Sequence, residues 1–336
     1  MDLKELSATL GLSPTTVSRA LNGYSDVSEL TRARVVEAAG RLGYQPNAHA
    51  RRLAIGKADA VGMIYPPEVG DLADPRFLEV ITGLTDRFGE ASIDLLIATS
   101  HYADELITYE RLVRARRFDA VIVARTRRID PRIEFLQRHR FPFLAYGRTG
   151  DSSTFPWFDF DNAAGTAMAM QRLGAFGHRR IGYIHAPFDL TYAAQRYEGY
   201  QQGLAALGLD ENPAWVVEAS SGRRGGYEAA LQLLDGETRP TALVVDNNLA
   251  GVGVARALID RGLVIGRDIS VIVYDGVPAD ILQAGQVMTA IEQPTAYEAG
   301  RTMAGLMLDV LARKPVDQIQ QLWTPKLAPG TSDGPV

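Results

Sequence analysis

Eight short apolar runs, arranged in two series of four, constrain the fold of this chain more than any other feature. The first series is "AVGMIYP" from position 60, "DLLIATS" from 94, "DAVIVAR" from 119 and "PFLAYG" from 142. The second is "RIGYIHAP" from 180, "AWVVEA" from 214, "TALVVDN" from 241 and "SVIVYDG" from 270. In each series 34 residues separate the first two starts (60 to 94, 180 to 214); the later intervals are 25 and 23, then 27 and 29. Runs of this length with helical stretches between them predict parallel strands covered on both faces. The spacing is too long and uneven for a short-period solenoid. It predicts one α/β lobe used twice, with a cleft between the copies.

Ligands of open parallel sheets gather outside the carboxyl ends of the strands. Those ends read as Tyr65, Ser100, Arg125, Tyr146, His185, Asn247 and Asp275. Carboxylate, amide and guanidinium groups hold hydroxyl pairs, and aromatic rings cover the apolar face of a sugar. Strand ends meet water in any such fold, so each position also has a bland reading. Asn247 and Asp275 carry the most weight.

The first 58 residues have another texture. Leu3, Leu6 and Leu10 make a helical stripe broken at Gly11, and Ser13-Pro14 is a strong helix start. The helix that follows, from Pro14 to about Asn22, exposes Thr15, Thr16, Ser18 and Arg19, with Val17 and Leu21 as its apolar seam. Ser28 caps a third helix with Val35, Val36, Ala39 and Leu42 on one face. Two helices joined by a tight turn have the spacing of a helix-turn-helix, which leaves the second helix free to enter a major groove. Thr15 and Thr16 can touch base edges, Arg19 can donate twice to guanine, and Asn22 can hold a phosphate or a base. Charge agrees. These 58 residues carry eight Lys/Arg against five acids, while the whole chain is −5. A basic head on an acidic body suits a polyanionic partner.

"NAHARRLAIG" follows, with small Ala48, Ala50 and Ala54, cationic Arg51 and Arg52, and apolar Leu53. Minor-groove binders insert such an apolar wedge between base steps and hold the flanking phosphates with arginines. A linker helix packing Leu53 on the next domain is the bland alternative.

The 336 residues contain no cysteine, so disulfides and thiolate metal sites are excluded. The five histidines lack ligand spacing, and no metal or cofactor is expected. The charged N-terminus lacks the apolar stretch of a signal peptide, and no run reaches membrane-span length. These observations predict a cytoplasmic protein.

The chain as a whole resembles the LacI/GalR family of bacterial transcriptional regulators. The head matches at "LKELSATLGLSPTTVSRALNG" and "TRARVVEAAGRLGYQPNAHARRLAIGKA". The body matches at "FDFDNAAG", "LGAFGHRRIGYI", "QRYEGYQQGL", "RPTALVVDNN", "GRDISVIVYD" and "TAIEQPTAYEAG". The resemblance implies an N-terminal all-α helix-turn-helix headpiece over 1–45 and a hinge helix over 46–58. It further implies an α/β periplasmic-binding-protein-like core over 59–336, with two lobes built on parallel sheets. Lobe one is expected at about 59–160 plus 290–322, and lobe two at about 161–289 plus 323–330.

It also implies a homodimeric repressor of carbohydrate genes, binding palindromic double-stranded operator DNA and a small sugar effector. The DNA-binding residues would be Thr15, Thr16, Ser18, Arg19, Asn22, Ala50 and the intercalating Leu53. The effector would meet Tyr65, Phe77, Ser100, Tyr146, Arg148, Arg196, Asn247 and Asp275. The head is similar to α-glucoside regulators. There are departures: Asn247-Asn248 replaces the usual Asn-Asp pair, Val273 replaces a usual glycine, and Ser221-Gly222 stand where lactose-type regulators place a stacking tryptophan. "APGTSDGPV" after Leu327 has no leucine heptad, so a dimer rather than a tetramer is expected.

Two other classes compete. A periplasmic-type sugar-binding protein fits the body but not the basic head. A glycosidase would need a carboxylate pair such as two of Asp161, Asp246 and Asp275, yet Asp246 and Asp275 sit where ligand hydroxyls are normally held. A regulator of a non-sugar effector is the remaining alternative.

Overall fold

The computed structural model describes residues 2–44, 57–65, 75–101, 104–150, 152–219, 222–282 and 285–336. Ala50 and Leu53, with most of the expected hinge, and Ser221 lie outside these residues. The chain forms two compact units, Met1–Asp59 and Ala60–Val336.

The first unit is three helices: α1 (Leu3–Leu10), α2 (Pro14–Leu21) and α3 (Glu29–Arg41). Asp2 and Glu5 form a reciprocal capping box on α1, and Gly11 ends it at φ 67°, a conformation glycine adopts without steric cost. Ser13 caps α2 ahead of Pro14, as expected from the sequence. Leu6, Leu10, Val17, Ala20, Val27, Val35, Ala38 and Ala39 form the core. Val36 is a correction: it is 55% exposed, because the buried face of α3 runs through Val35, Ala38 and Ala39.

The second unit holds two six-stranded sheets. The first has the order β11-β5-β4-β3-β1-β2. Its strands are β1 (Ala60–Tyr65), β2 (Asp94–Thr99), β3 (Ala120–Val123), β4 (Phe143–Tyr146), β5 (Trp157–Phe160) and β11 (Gln320–Trp323). Every pair in it is parallel. The second has the order β12-β10-β9-β8-β6-β7. Its strands are β6 (Ile181–His185), β7 (Val216–Glu218), β8 (Ala242–Val245), β9 (Ser270–Tyr274), β10 (Thr289–Glu292) and β12 (Lys326–Ala328). Only the β10–β12 pair is antiparallel.

Three expectations change. Residues 290–292 belong to β10, which pairs with β9 through 289–291 and with β12 through 290–292, so the return to the first lobe begins after Glu292. Strand β2 is not covered on both faces: it is the sheet edge, with Leu96 43% and Ile97 45% exposed. The run at 214 opens as a 3-10 turn over Pro213–Trp215 before β7 begins.

Helices flank both sheets: α4 (Pro75–Gly89), α5 (Glu105–Arg114), α6 (Pro131–Arg138) and α11 (Ala296–Leu311) on the first; α7 (Asn162–Ala175), α8 (Thr191–Ala206), α9 (Gly222–Leu234) and α10 (Asn248–Asp260) on the second. Helix pairs approach closely at glycines in both lobes. A side chain on Gly83 would strike the Tyr297 carbonyl across α4 and α11, and one on Gly253 would strike the Arg223 carbonyl across α9 and α10. The chain crosses between lobes after β5, after β10 and again between β11 and β12.

Candidate functional site

A cavity of about 270 Å³ lies between the two lobes of the second unit, at the carboxyl ends of their strands. Tyr65, Phe77 and Tyr146 line it from the first lobe; Arg196, Asn247 and Asp275 line it from the second. The rings of Tyr65 and Phe77 lie 4.7 Å apart and form an aromatic wall.

Arg196 is the anchor of the second lobe. Its guanidinium carbon lies 3.4 Å from the centroid of Tyr274 and 4.9 Å from that of Tyr192. Nε donates to Asn162 Oδ1 at 2.9 Å, and Nη1 donates to the Asp246 carbonyl. Burial disfavours the charge, but Tyr274, Asp275 and Asp246 outweigh it and raise the pKa. The arginine is therefore fixed and cationic.

Asp246 is buried and accepts from the Ala186 N–H at 2.8 Å and from Asn247 Nδ2 at 2.7 Å. Burial pushes its carboxyl up against the pull of Arg196. Asn247 also caps α10, its Oδ1 accepting from the Ala250 N–H at 2.8 Å. Both ends of this amide are thus held by the protein.

Asp275 follows β9 with φ 66°, and its N–H donates to the Ile291 carbonyl at 2.9 Å. Arg76 on α4 places Nη2 3.1 Å from Asp275 Oδ1, an ion pair that spans the cleft. The carbonyl of Thr126, a lining residue, accepts from both the N–H and the Oγ1 of Thr191, each at 2.9 Å, which joins the two lobes.

The loop that carries Thr126 is braced from behind. Arg132, 1% exposed, donates to Glu105 Oε1 at 2.5 Å, Asp130 Oδ2 at 2.6 Å, and the carbonyls of Ala124 and Arg125 at 3.1 and 2.9 Å. Arg125 lines the cavity with φ 51°, an uncommon backbone state for a residue other than glycine.

Two expected residues lie elsewhere. Ser100 is not among the described residues that line the cavity, because β2 sits at the sheet edge, and Arg148 is also outside the lining. Arg148 acts one step back: its Nε donates at 2.8 Å to Asp159, which does line the cavity. Burial raises the pKa of Asp159 against the pull of Arg148. His185, read as a strand end, stacks on Phe188 at 3.8 Å instead of reaching the cavity.

Sequence reasoning passed over Arg76, Asp159, Asn162, Tyr192 and Gln293, all of which line the cavity. "DPRF" and "FDFDN" were the available signals, but only the fold shows which of their side chains turn inward. Among the described residues, no His/Asp/Glu group could hold a metal ion. The cavity offers acceptors, donors and ring faces, and the arginines and carboxylates are interleaved.

In the first unit, Thr15 is exposed, while Thr16, Ser18, Arg19 and Asn22 are half-buried. Thr16 joins the cap at Ser13 through a 2.8 Å hydroxyl contact. Asn22 donates to the Ser18 carbonyl at 2.9 Å. Arg19 pairs with Asp26.

Residues 58–325 match the periplasmic binding proteins and sugar binding domain of the LacI family, and residues 3–47 match the bacterial regulatory proteins of the lacI family. The chain is 39% identical to the HTH-type transcriptional regulator RafR of Escherichia coli, over 99% of this chain and 98% of that one. It is 36% identical to the HTH-type transcriptional regulator AglR of Rhizobium meliloti, over 100% of this chain and 95% of that one. Among solved structures, a complex of the transcriptional regulator CelR with cellobiose matches with TM-score 0.74 and 26% identity, over 99% of each chain.

Proposed function

The chain belongs to the LacI family of bacterial regulatory proteins, and on that premise we propose that it represses genes of carbohydrate uptake or breakdown. The effector in this reading is a neutral di- or oligosaccharide held between the lobes. The observation that carries the proposal is the cavity itself, where donors and acceptors from both lobes converge on one volume. The pairing of Arg76 with Asp275 and of Arg148 with Asp159 argues for a ligand without net charge. The solved cellobiose complex of a family member supports the disaccharide class.

Each residue then has a role. Asp275 accepts from sugar hydroxyls, Arg196 donates to them, and Tyr65 and Phe77 cover the apolar face. Tyr146 lines the floor, Asn247 fixes the start of α10, and Arg148 positions Asp159. Thr15, Thr16 and Arg19 face base edges, with Ser18 and Asn22 supporting that face, and Leu53 with Ala50 forms the wedge of the hinge. Two copies pair to meet a palindromic site, using the exposed apolar residues Leu96 and Ile97 of β2 and Leu78 of α4. No described helix is long and apolar enough to cross a membrane; action on operator DNA in the cytoplasm is part of the same proposal.

The mechanism is a shift of population between two core states. A sugar that favours one of them by about 1–3 kcal/mol changes operator affinity by about 5–150-fold. Thermal-shift screening of the purified chain against α-glucosides, α-galactosides, β-linked disaccharides and sugar phosphates tests the reading. Stabilisation by a neutral disaccharide supports it, and stabilisation by sugar phosphates alone contradicts it. Turnover of a bound sugar would show an enzyme instead.

A further inference from the structure

The loop between α2 and α3 carries an acid that meets the proposed base-reading arginine. Asp26 Oδ1 accepts from Arg19 Nε at 3.1 Å, and Asp26 Oδ2 lies 2.6 Å from Arg19 Nη2. This is a side-on, two-point grip on one edge of a planar fork. The guanidinium carbon also lies 4.9 Å from the Tyr24 ring centroid.

The acid is itself held in place. Val27, next in the chain, is buried in the headpiece core. The Tyr24 carbonyl accepts from Arg32 Nη2 at 2.9 Å, tying the start of the loop to α3.

A guanidinium has five N–H donors in fixed directions. The carboxylate engages the Nε–H and one Nη2–H. The second Nη2 donor and one Nη1 donor remain on the distal, end-on edge, while the other Nη1 donor points toward the Cδ side. That edge matches guanine, whose O6 and N7 accept two parallel bonds in the major groove.

We propose that Asp26 is a specificity-determining residue of the headpiece: it orients Arg19 for end-on, two-point reading of guanine and sets a negative charge against sequence-independent phosphate binding. The proposal rests on Arg19 reading a base. An unheld arginine can swing to a neighbouring phosphate and trade specificity for affinity. A carboxylate facing the duplex penalises every complex in which Arg19 does not carry its charge to guanine.

The test uses full-length protein and a palindromic duplex that the wild type selects from a randomised library. Binding is measured to that duplex, to all single base-pair variants at each symmetric position, and to a scrambled duplex. Arg19→Ala should lose discrimination at one symmetric guanine. Asp26→Ala should lower the guanine preference there about five-fold or more and raise binding to the scrambled duplex, with the other positions little changed. Asp26→Glu, which keeps a carboxylate in reach, should restore most of the preference. Melting curves of the headpiece variants confirm folding. If Arg19→Ala is position-specific but Asp26→Ala changes neither the preference nor scrambled binding, the role of Asp26 is overturned while Arg19 stands. If Arg19→Ala weakens all duplexes equally, the base-reading premise fails, and the role of Asp26 fails with it.

Discussion

Arg76 of the first lobe and Asp275 of the second face each other across the cleft, with Nη2 and Oδ1 3.1 Å apart. The pair lies on the cavity wall, so a sugar entering the cleft meets both partners. A carboxylate has two oxygens. Arg76 can keep one while a hydroxyl donates to the other, and the arginine can donate onward to the same ligand. On the proposed reading, the contact links effector recognition to the approach of the two lobes.

The first expectation concerns that link. Arg76→Ala should weaken the effector about 5–10-fold, the range of one charge-assisted hydrogen bond that is partly open to solvent. Operator binding without effector should remain near normal. Calorimetry with the screened sugar, paired with an operator shift, measures both. An unchanged sugar affinity would remove Arg76 from the site.

On the opposite wall, Asp275→Asn keeps the shape of the side chain but removes its charge and one acceptor. Hydrogen bonds to charged groups contribute about 1.5–3 kcal/mol, so sugar affinity should fall by about one to two orders of magnitude. Arg196→Ala should cost at least as much, because it removes the buried cation stacked on Tyr274. Thermal melts separate loss of the ligand from loss of the fold.

The brace behind the Thr126 loop gives a stability expectation. Arg132→Met leaves Glu105 and Asp130 buried without their shared cation, and breaking such a cluster costs about 3–5 kcal/mol. Chemical denaturation of the core should show this, and an undiminished midpoint would contradict the assigned role.

Acid acts on two groups of carboxylates in opposite senses. Burial raises Asp130, but its bonds to Arg132 win, and its pKa is lowered. Its contribution is present above the unfolded value of about 3.9 and is lost as pH falls through the lower folded value. Asp159 and Asp246 are raised by burial. Their ionisation costs stability at neutral pH, and that cost is relieved as pH falls through their raised folded values. Sugar affinity should accordingly begin to drop at a higher pH than global stability. A coincident loss in a joint titration would contradict these directions.

Two headpiece variants separate base reading from bending. Arg19→Lys should cost about 1–3 kcal/mol at one symmetric operator position. Leu53→Ala should weaken operator binding and reduce the bend together, because an inserted side chain supports the kink. Circularly permuted operator fragments report the bend. Unchanged mobility with unchanged affinity would return Leu53 to a plain linker role.

What the sequence made legible follows physical lines. Ser13-Pro14 and Gly11 are local signals, and the helix ends fall where they place them. The apolar runs identified most of the core strands, because a covered parallel strand needs unbroken hydrophobicity. Short strands with polar or aromatic residues, such as β5 in "WFDF" and β11 in "QQLW", were passed over for lack of such a run. Strand ends gave Tyr65, Tyr146 and Asp275, because chain direction alone brings them to the cleft. Arg76 and Asn162 sit on helices, where which side chains turn inward depends on tertiary packing. Ser100, after the edge strand β2, is not among the described lining residues; strand order is not written in any single run.

Operator binding by the full-length protein, followed by fluorescence anisotropy during titration with the sugar chosen by thermal shift, tests the central claim most directly. The account requires sequence-specific binding whose midpoint moves at least about five-fold when the cavity fills, in either direction. A sugar that binds the cleft with the affinity of a true ligand yet leaves the operator midpoint where it was would contradict it.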